Sequence, residues 1–334
     1  MDYTLEKIAK IERLDDFDDE YVYDIIMEDS KTPYFFANGI LVHNSCYFKT
    51  HAENAEEAVA VADEVARLTN ETFPGFMQRA FNCQPGFDIL IKAGREVVAR
   101  RGLFQAKKKY VLKVVDLEGS KVDKLKTQGS EIKKSDTPKV IQKFLKELMG
   151  HILSGANYSE VEKFVNDSRK TLIGKNADIF AMGIAKQVND LDRFWQAWRQ
   201  SGKKPSGKVP GWKQDESGRV NPVNIPGHVR AAFMYNELVQ QHEEGAKLIK
   251  SGDKVRVFYL KPNALDLKSI ALPAEMSQFP EWFADHFEID RKLTEERMFD
   301  SKMESIFSAI RAGGSAEWEI PTPQNTLINK LLKF

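Results

Sequence analysis

The chain has 334 residues, 42% of them hydrophobic, and its 49 Lys/Arg balance 49 Asp/Glu to a formal net charge of zero at pH 7. That length exceeds one ordinary domain and the composition can build a core, which excludes a wholly disordered chain and predicts two or three folded units. Cys46 and Cys83, the only cysteines, exclude a disulfide framework or a zinc cluster, and no apolar run is long enough to span a membrane, so a cytoplasmic protein is expected.

The zero net charge conceals a split. Residues 1–44 carry four Lys/Arg against eleven Asp/Glu, a net of −7, whereas residues 92–146 carry sixteen against six, a net of +10. The front of the chain suits a basic partner and the middle suits a polyanion. In chain order, residues 5–14 lead into the acidic run Asp15-Asp16-Phe17-Asp18-Asp19-Glu20, read as a solvated loop. Tyr21 to Met27 reads as a strand, Lys31-Thr32-Pro33 as a turn, Tyr34 to Ala37 as extended, Asn38-Gly39 as a tight hairpin turn and Ile40-Leu41-Val42 as the returning strand. A compact β unit thus carries His43-Asn44-Ser45 at its exit.

Asn followed by a hydroxyl residue and preceded by His is the layout that Asn cyclisation requires. The Asn44 side-chain amide would attack its own backbone carbonyl, the peptide bond to Ser45 would break, and a succinimide would form. His43 can polarise that carbonyl or protonate the leaving amine. Ser45 supplies a hydroxyl nucleophile that needs a nearby base. For these three residues alone, an ordinary strand ending in a His-Asn turn is the default, so the flanking sequence decides.

Beyond Ser45 the strand continues through Lys49. Thr50-x-x-Glu53 reads as a capping box, followed by a helix that carries Ala55, Ala58, Val59, Ala62, Val65 and Ala66 on one face and ends at Pro74-Gly75. Phe87 to Ile91 and Lys109 to Val115 read as strands, connected through Gly94 to Val98 and Arg100-Arg101-Gly102. Lys107-Lys108-Lys109 runs straight into the second strand ahead of Tyr110. Within a +10 segment, such a triplet beside an aromatic points to phosphate contact. Strand alternation would set Lys107 and Lys109 on the face opposite Lys108 and Tyr110 unless the start of the strand is bent.

Ser135-Asp136-Thr137-Pro138 opens a helix to about Leu153, and Ser159-x-x-Glu162 caps another. Phe194, Trp195 and Trp198 at helical spacing read as core. Residues 201–227, rich in Gly, Pro and Lys, form a long loop, and Pro226-Gly227-His228-Val229-Arg230 enters a helix through Tyr235, with Arg230 placed for a phosphate-backbone contact and His228 to cap, to pack or to contact the same polyanion. Lys254 to Leu260 alternates like a strand and Asp290 to Arg311 like a helix. After Gly313-Gly314-Ser315, the last residues place Leu327, Ile328, Leu331, Leu332 and Phe334 on one helical face, either docked on their own domain or offered to a partner.

Two resemblances organise these readings. Val22-Tyr23-Asp24-Ile25, Phe35-Phe36-Ala37-Asn38-Gly39 and Ile40 to Asn44 with Ser45 resemble the two C-terminal blocks of inteins. The resemblance implies that Asp24 assists the nucleophile, that His43 and Asn44 perform cyclisation, and that Ser45 takes the transfer step. Pro33 stands where many members carry a His, leaving more of the work to Asp24 and His43. No Thr-x-x-His occurs in the chain, so residues 1–44 are read as the C-terminal half of a split intein that meets a separate N-terminal half.

Ser45-x-Tyr47 resembles the end of the Tyr-Gly-Asp-Thr-Asp-Ser motif of family B DNA polymerases. Arg95-Glu96-Val97-Val98, the Lys107-Lys108-Lys109-Tyr110 motif, Lys134-Ser135-x-Thr137-Pro138-Lys139 and Tyr235-Asn236 follow in the order of the T-even phage enzymes. This resemblance implies that Lys107, Lys108, Lys109 and Tyr110 grip primer–template DNA, that Glu96 is a palm carboxylate or else a salt-bridge partner of a neighbouring Arg, and that Leu327, Leu331, Leu332 and Phe334 bind a sliding clamp.

It also implies Mg2+ and deoxynucleoside triphosphates in a reconstituted enzyme, with the main metal ligands on a missing N-terminal fragment and a phage or bacterial host cytoplasm as the setting. The expected fold is α+β: a small all-β intein (Hint-type) C-terminal half over 1–44, a mixed α/β palm remainder over 45–134, a mostly helical thumb over 135–314 and a tail over 315–334. The competing reading is a non-catalytic DNA- and clamp-binding polymerase subunit with an inert intein remnant.

Overall fold

The computed structural model describes residues 21–27, 34–37, 40–43, 45–86, 92–106, 108–202, 208–209, 211–212, 215–242, 245–315 and 317–322, with side chains from Tyr47 onward except at 80, 81 and 208. In order the elements are β1 (Tyr21–Met27), β2 (Tyr34–Ala37), β3 (Ile40–His43), β4 (Ser45–Cys46), β5 (Lys49–Thr50), α1 (Ala55–Phe81), β6 (Ala93–Ala106), β7 (Lys109–Leu117), β8 (Ser120–Gln128), α2 (Lys139–Leu153), α3 (Tyr158–Ile173), β9 (Ile184–Gln187), α4 (Leu191–Gln200), β10 (Lys208–Val209), β11 (Val223–Asn224), α5 (Gly227–His242), β12 (Lys254–Tyr259), β13 (Ser269–Pro273), α6 (Phe283–His286), α7 (Arg291–Glu295) and α8 (Ser301–Ala312). The architecture is mixed α and β, with small antiparallel sheets.

The chain divides into two compact units, residues 1–102 with 112–126 and residues 103–111 with 127–334, so the chain passes between them within β6, β7 and β8. In the first unit the sheet runs β4-β1-β6-β7-β8, with β5 also paired to β1. β2 and β3 pair separately, Ala37 opposite Ile40 and Tyr34 opposite His43, the register that a two-residue connection imposes. The sequence groups β1 with these two strands, but β1 pairs instead with β4, β5 and β6. Seven residues of extended, apolar chain satisfy more backbone groups between two neighbours than at an edge.

α1 packs on this unit through small residues. Ala52, Ala58, Ala62 and Val98 form a buried cluster, joined by Phe48, Ala55, Val59 and Val115. Its N-cap is Asn54, not Thr50: the Asn54 side chain accepts from the Glu57 amide at 2.8 Å, and Glu57 accepts from the Glu53 amide at 2.9 Å. Pro74 does not end the helix, which runs to a left-handed cap at Asn82. An interior proline costs about 3 kcal/mol, but Phe73 is buried immediately before it, and tertiary packing outweighs the local penalty. Asn70 then clips the start of β6 by donating to the Ala93 carbonyl at 2.9 Å and accepting from the Ala93 amide at 2.6 Å.

The stretch read as a connection, Gly94 to Gly102, is part of the fourteen-residue β6. Its charged residues mask the apolar alternation, because Arg95 is held by Asp63 at 2.7 Å and by Asp116. The strand expected at Phe87 to Ile91 lies outside the described residues.

In the second unit, α2 begins directly after Pro138 and ends at Leu153, as its sequence dictates. α3 is capped two residues earlier than Ser159: Asn157 and Glu160 form a reciprocal capping box. Phe144 stacks on Phe299 with ring centroids 4.4 Å apart, and Leu145, Leu148, Met149, Met303 and Phe307 are fully buried around them. β9, β12 and β13 form a second sheet in the order β13-β12-β9. Phe194 and Trp198 are buried beside Phe233 of α5, so these aromatics are core, as expected. The 201–227 loop contains the small β10–β11 pair. Within Tyr235-Asn236, Asn236 acts structurally by exchanging two hydrogen bonds of 2.8 Å with the Ile249 backbone.

The helix read from Asp290 to Arg311 contains a π-helical turn at Glu296–Asp300. In an α-helix, residues five apart point about 140° away from each other; the wider turn brings Glu295 and Asp300 onto one buried guanidinium. Arg169 donates to Asp300 at 2.7 Å, to Glu295, and to the Pro321 carbonyl at 2.6 Å. Its guanidinium lies 4.8 Å from the centroid of the Phe299 ring.

Candidate nucleic-acid interface and splice junction

β6 ends at Ala106 and β7 begins at Lys109, so the basic motif forms the tip of a hairpin. Lys107 lies outside the described residues. Lys108 occupies the turn with φ +61°, a left-handed conformation that costs an ordinary L residue roughly 1–2 kcal/mol. The triplet therefore does not enter the strand as one run. The lysine at the turn stands outside the alternation, which starts at Lys109, and supplies the bend needed at the strand's start. Lys108 is exposed while Lys109 and Tyr110 are half-buried. The Tyr110 and Phe104 rings pack at 5.8 Å.

Gly129, which belongs to none of the motifs above, makes this tip possible. Its φ is +59°, and a Cβ added there would overlap the Lys108 carbonyl oxygen and lie 3.0 Å from Lys109 Cγ. Only glycine permits that backbone approach. Its one signal in the sequence is a lone glycine just after a strand, Gln128-Gly129-Ser130, which marks either a turn or a close approach.

The chain leaves Gly129 through a 3-10 turn at Glu131–Lys133. Glu131 accepts from Lys302 at 2.7 Å, from Lys134, and from the Thr137 hydroxyl at 3.3 Å. Burial pushes its carboxyl up, but the two ammonium groups more than offset this and hold it below the usual carboxylate range. Asp136 is likewise held low, chiefly by its 3.0 Å bond from Lys186. Lys134 is thus already engaged, while Lys133 and Lys139 stay exposed.

Arg230 on α5 is half-buried and lines a cleft of about 360 Å³ with Trp198, Phe233, Glu237, Leu265 and Lys268. His228, two residues earlier, has its pKa lowered by burial and by the charge of Lys186, despite a backbone hydrogen bond at Gln187 that raises it.

Glu96 on β6 is paired with Lys126 of β8, not with an arginine. Its neighbour Arg95 is engaged with Asp63 and Asp116. Among the described residues, no three His, Cys, Asp or Glu side chains converge to hold a metal ion; a carboxylate neutralised by lysine does not by itself fit Mg2+. No described helix is long and apolar enough to cross a membrane.

At the junction, Asn44 lies outside the described residues and the others are placed by their backbones. His43 ends β3 opposite Tyr34. Ser45 opens β4 opposite Ile26, two positions along β1 from Asp24, and the β1–β6 register shifts between Asp24 and Ile25. The fold therefore brings Asp24 and Ser45 onto adjacent strands. Leu327, Leu331, Leu332 and Phe334 lie outside the described residues; the described chain ends at Thr322, one residue past the Arg169–Pro321 bond.

No family model matches the chain. Over about half of its length it is nevertheless similar to DNA polymerases of Thermococcus and of phages T4 and RB69. It is 35% identical over 177 residues to the DNA polymerase of Thermococcus aggregans, covering 52% of this chain and 8% of the relative. It is 33% identical over 156 residues to that of Thermococcus hydrothermalis, covering 46% and 8%. To the DNA-directed DNA polymerase of Enterobacteria phage T4 it is 28% identical over 177 residues, covering 52% and 17%. The matched region thus spans less than a fifth of these relatives' length.

Proposed function

We propose that the chain is the precursor of the C-terminal fragment of a DNA-directed DNA polymerase, joined to its N-terminal fragment by intein-mediated trans-splicing. The similarity to DNA polymerases over half of the chain carries the polymerase part of this reading. The splicing part rests on sequence: a block ending in His43-Asn44, followed by Ser45 at the position where the polymerase motif resumes.

In this reading a basic intein N-terminal half docks on the −7 segment. The Ser45 hydroxyl, with Asp24 assisting, attacks the ester or thioester that holds the partner's acyl group on the N-terminal half's own nucleophile, forming an ester at Ser45 and releasing that nucleophile. The Asn44 side-chain nitrogen then closes on its own carbonyl carbon with loss of a proton, the peptide bond to Ser45 breaks, and His43 delivers a proton to the freed amine. That amine takes the acyl group from the Ser45 oxygen, which regains its proton, and a peptide bond joins the fragments. The joined fragment grips primer–template DNA through Lys107, Lys108, Lys109, Tyr110 and Arg230, with Glu96 in the palm. The deoxynucleoside triphosphate and the main Mg2+ ligands are assigned to the partner fragment's carboxylates, and the sliding clamp to Leu327, Leu331, Leu332 and Phe334.

The test is to mix the chain with a matching N-terminal half and weigh the products. A ligated species and a 44-residue fragment ending in succinimide are expected, with no release of that fragment from the Asn44→Ala variant. If neither product forms, or if Asn44→Ala behaves identically, the splicing reading fails.

A further inference from the structure

The last residue of α5 and the last residue of α6 bring two imidazoles together. The Nε2 atoms of His242 and His286 lie 2.8 Å apart at the surface, with ring centroids 4.9 Å apart and planes at 57°. Trp282, itself buried, stacks against His242 at 5.8 Å and 16° and fixes that ring's plane, while His286 packs beside Phe287 at 6.0 Å. Neither histidine has a part in DNA binding or splicing as proposed above.

Without a cation, this contact requires one Nε2–H to donate to the other Nε2. If both rings carry their proton on Nδ1, two lone pairs converge on one point. Metal–imidazole bonds of about 2.0–2.1 Å place two nitrogens about 3.0 Å apart at a right angle and about 3.4 Å apart at the tetrahedral angle. The observed spacing reaches that range if the rings part by a few tenths of an ångström. Exposure leaves room for water to complete the coordination.

We propose that His242 and His286 form a surface site for a borderline divalent transition-metal cation, with Cu2+ bound more tightly than Ni2+ or Zn2+. Mg2+ and Ca2+, which select oxygen ligands, are excluded by the donor set.

The test is titration of the full chain with NiCl2, ZnCl2, CuCl2 and MgCl2, followed by calorimetry and by tryptophan fluorescence. One equivalent of Ni2+ or Cu2+ is expected to bind saturably and quench part of the emission, whereas Mg2+ at the same concentration leaves it unchanged. His242→Ala and His286→Ala should each weaken binding by at least ~10-fold, and His51→Ala should leave it intact. Trp282→Phe should remove the quench while preserving the calorimetric signal, which separates the site from nonspecific quenching. Circular dichroism checks that each variant is folded. The proposal is overturned if stoichiometric binding survives in the doubly substituted chain. It also fails if the wild type binds Ni2+ and Cu2+ no better than that chain does, which would leave only a hydrogen-bonded histidine pair.

Discussion

Replacing Gly129 by alanine tests whether the chain's close approach at that residue sets the geometry of the basic hairpin. The new Cβ would overlap the Lys108 carbonyl oxygen and lie 3.0 Å from Lys109 Cγ, at a residue whose φ is +59°. The backbone conformation alone costs about 1–2 kcal/mol. Restoring ordinary contacts of roughly 3.5 Å requires a shift on the order of 1 Å. Since the obstructing atom is backbone, the strain is relieved by moving the turn, and Lys108 moves with it. Losing one phosphate interaction reduces the slope of log K against log salt by about 0.9, and shrinks the affinity ratio between 50 and 200 mM salt about 3.5-fold. Anisotropy with a labelled primer–template duplex across that salt range should therefore show both weaker binding and a slope lower by about 0.9 for Gly129→Ala. Gly119→Ala is the control, because Gly119 has φ +86° but open space where a Cβ would point. It carries the conformational cost without displacing the lysine turn. Wild-type slope and affinity in Gly129→Ala, or an equal loss in Gly119→Ala, would refute the positioning argument.

Lys107→Ala with Lys108→Ala should lower the same salt slope by about 1.8, and Gly129→Ala added to that pair should change binding little; full additivity would mean that the glycine acts elsewhere. Arg169→Met should destabilise the second unit by about 3–5 kcal/mol in urea unfolding, because Glu295 and Asp300 are left as partly buried carboxylates without their shared cation. Lys302→Met should cost about 1–3 kcal/mol at pH 7, since Glu131 keeps Lys134. Glu131 has a depressed folded pKa, so its contribution is fully present above the unfolded value of about 4.3 and is lost as pH falls through the folded one. The difference between Lys302→Met and wild type should hold constant above about pH 5 and shrink below about pH 4; a gap that widens in acid would contradict the sign.

Local patterns in the sequence were the legible part of this fold. The strand from Lys109, the helix from Pro138 to Leu153, the strand from Lys254 and the buried face of Phe194 and Trp198 follow from apolar period and start signals, which nearby residues set. The caps at Asn54 and Asn157, each accepting from the amide of a glutamate three residues on, were a local signal that competed with the equally local one at Thr50 and Ser159. Less legible were features decided by distant chain. Pro74 stays inside a helix because Phe73 is buried. Arg95 and Glu96 hide a strand because their charges are cancelled by Asp116 and Lys126, which lie twenty-one and thirty residues away.

The candidate interface follows the same division. Three lysines before a tyrosine identify the hairpin, yet they say nothing of how it is held, because Gly129 reaches Lys108 only after the whole of β7 and β8 has intervened. A motif supplies charge, and the fold decides where that charge is presented. The proposed splice junction meets this limit from the other side: Asp24 and Ser45 stand on adjacent strands through a pairing that no local pattern encodes. A strand as rich in apolar residues as β1, with Asp24 its one charge, can accept neighbours on both edges. Its partners β4, β5 and β6 all lie after residue 44, so its place in the sheet is set by chain outside the segment that carries it.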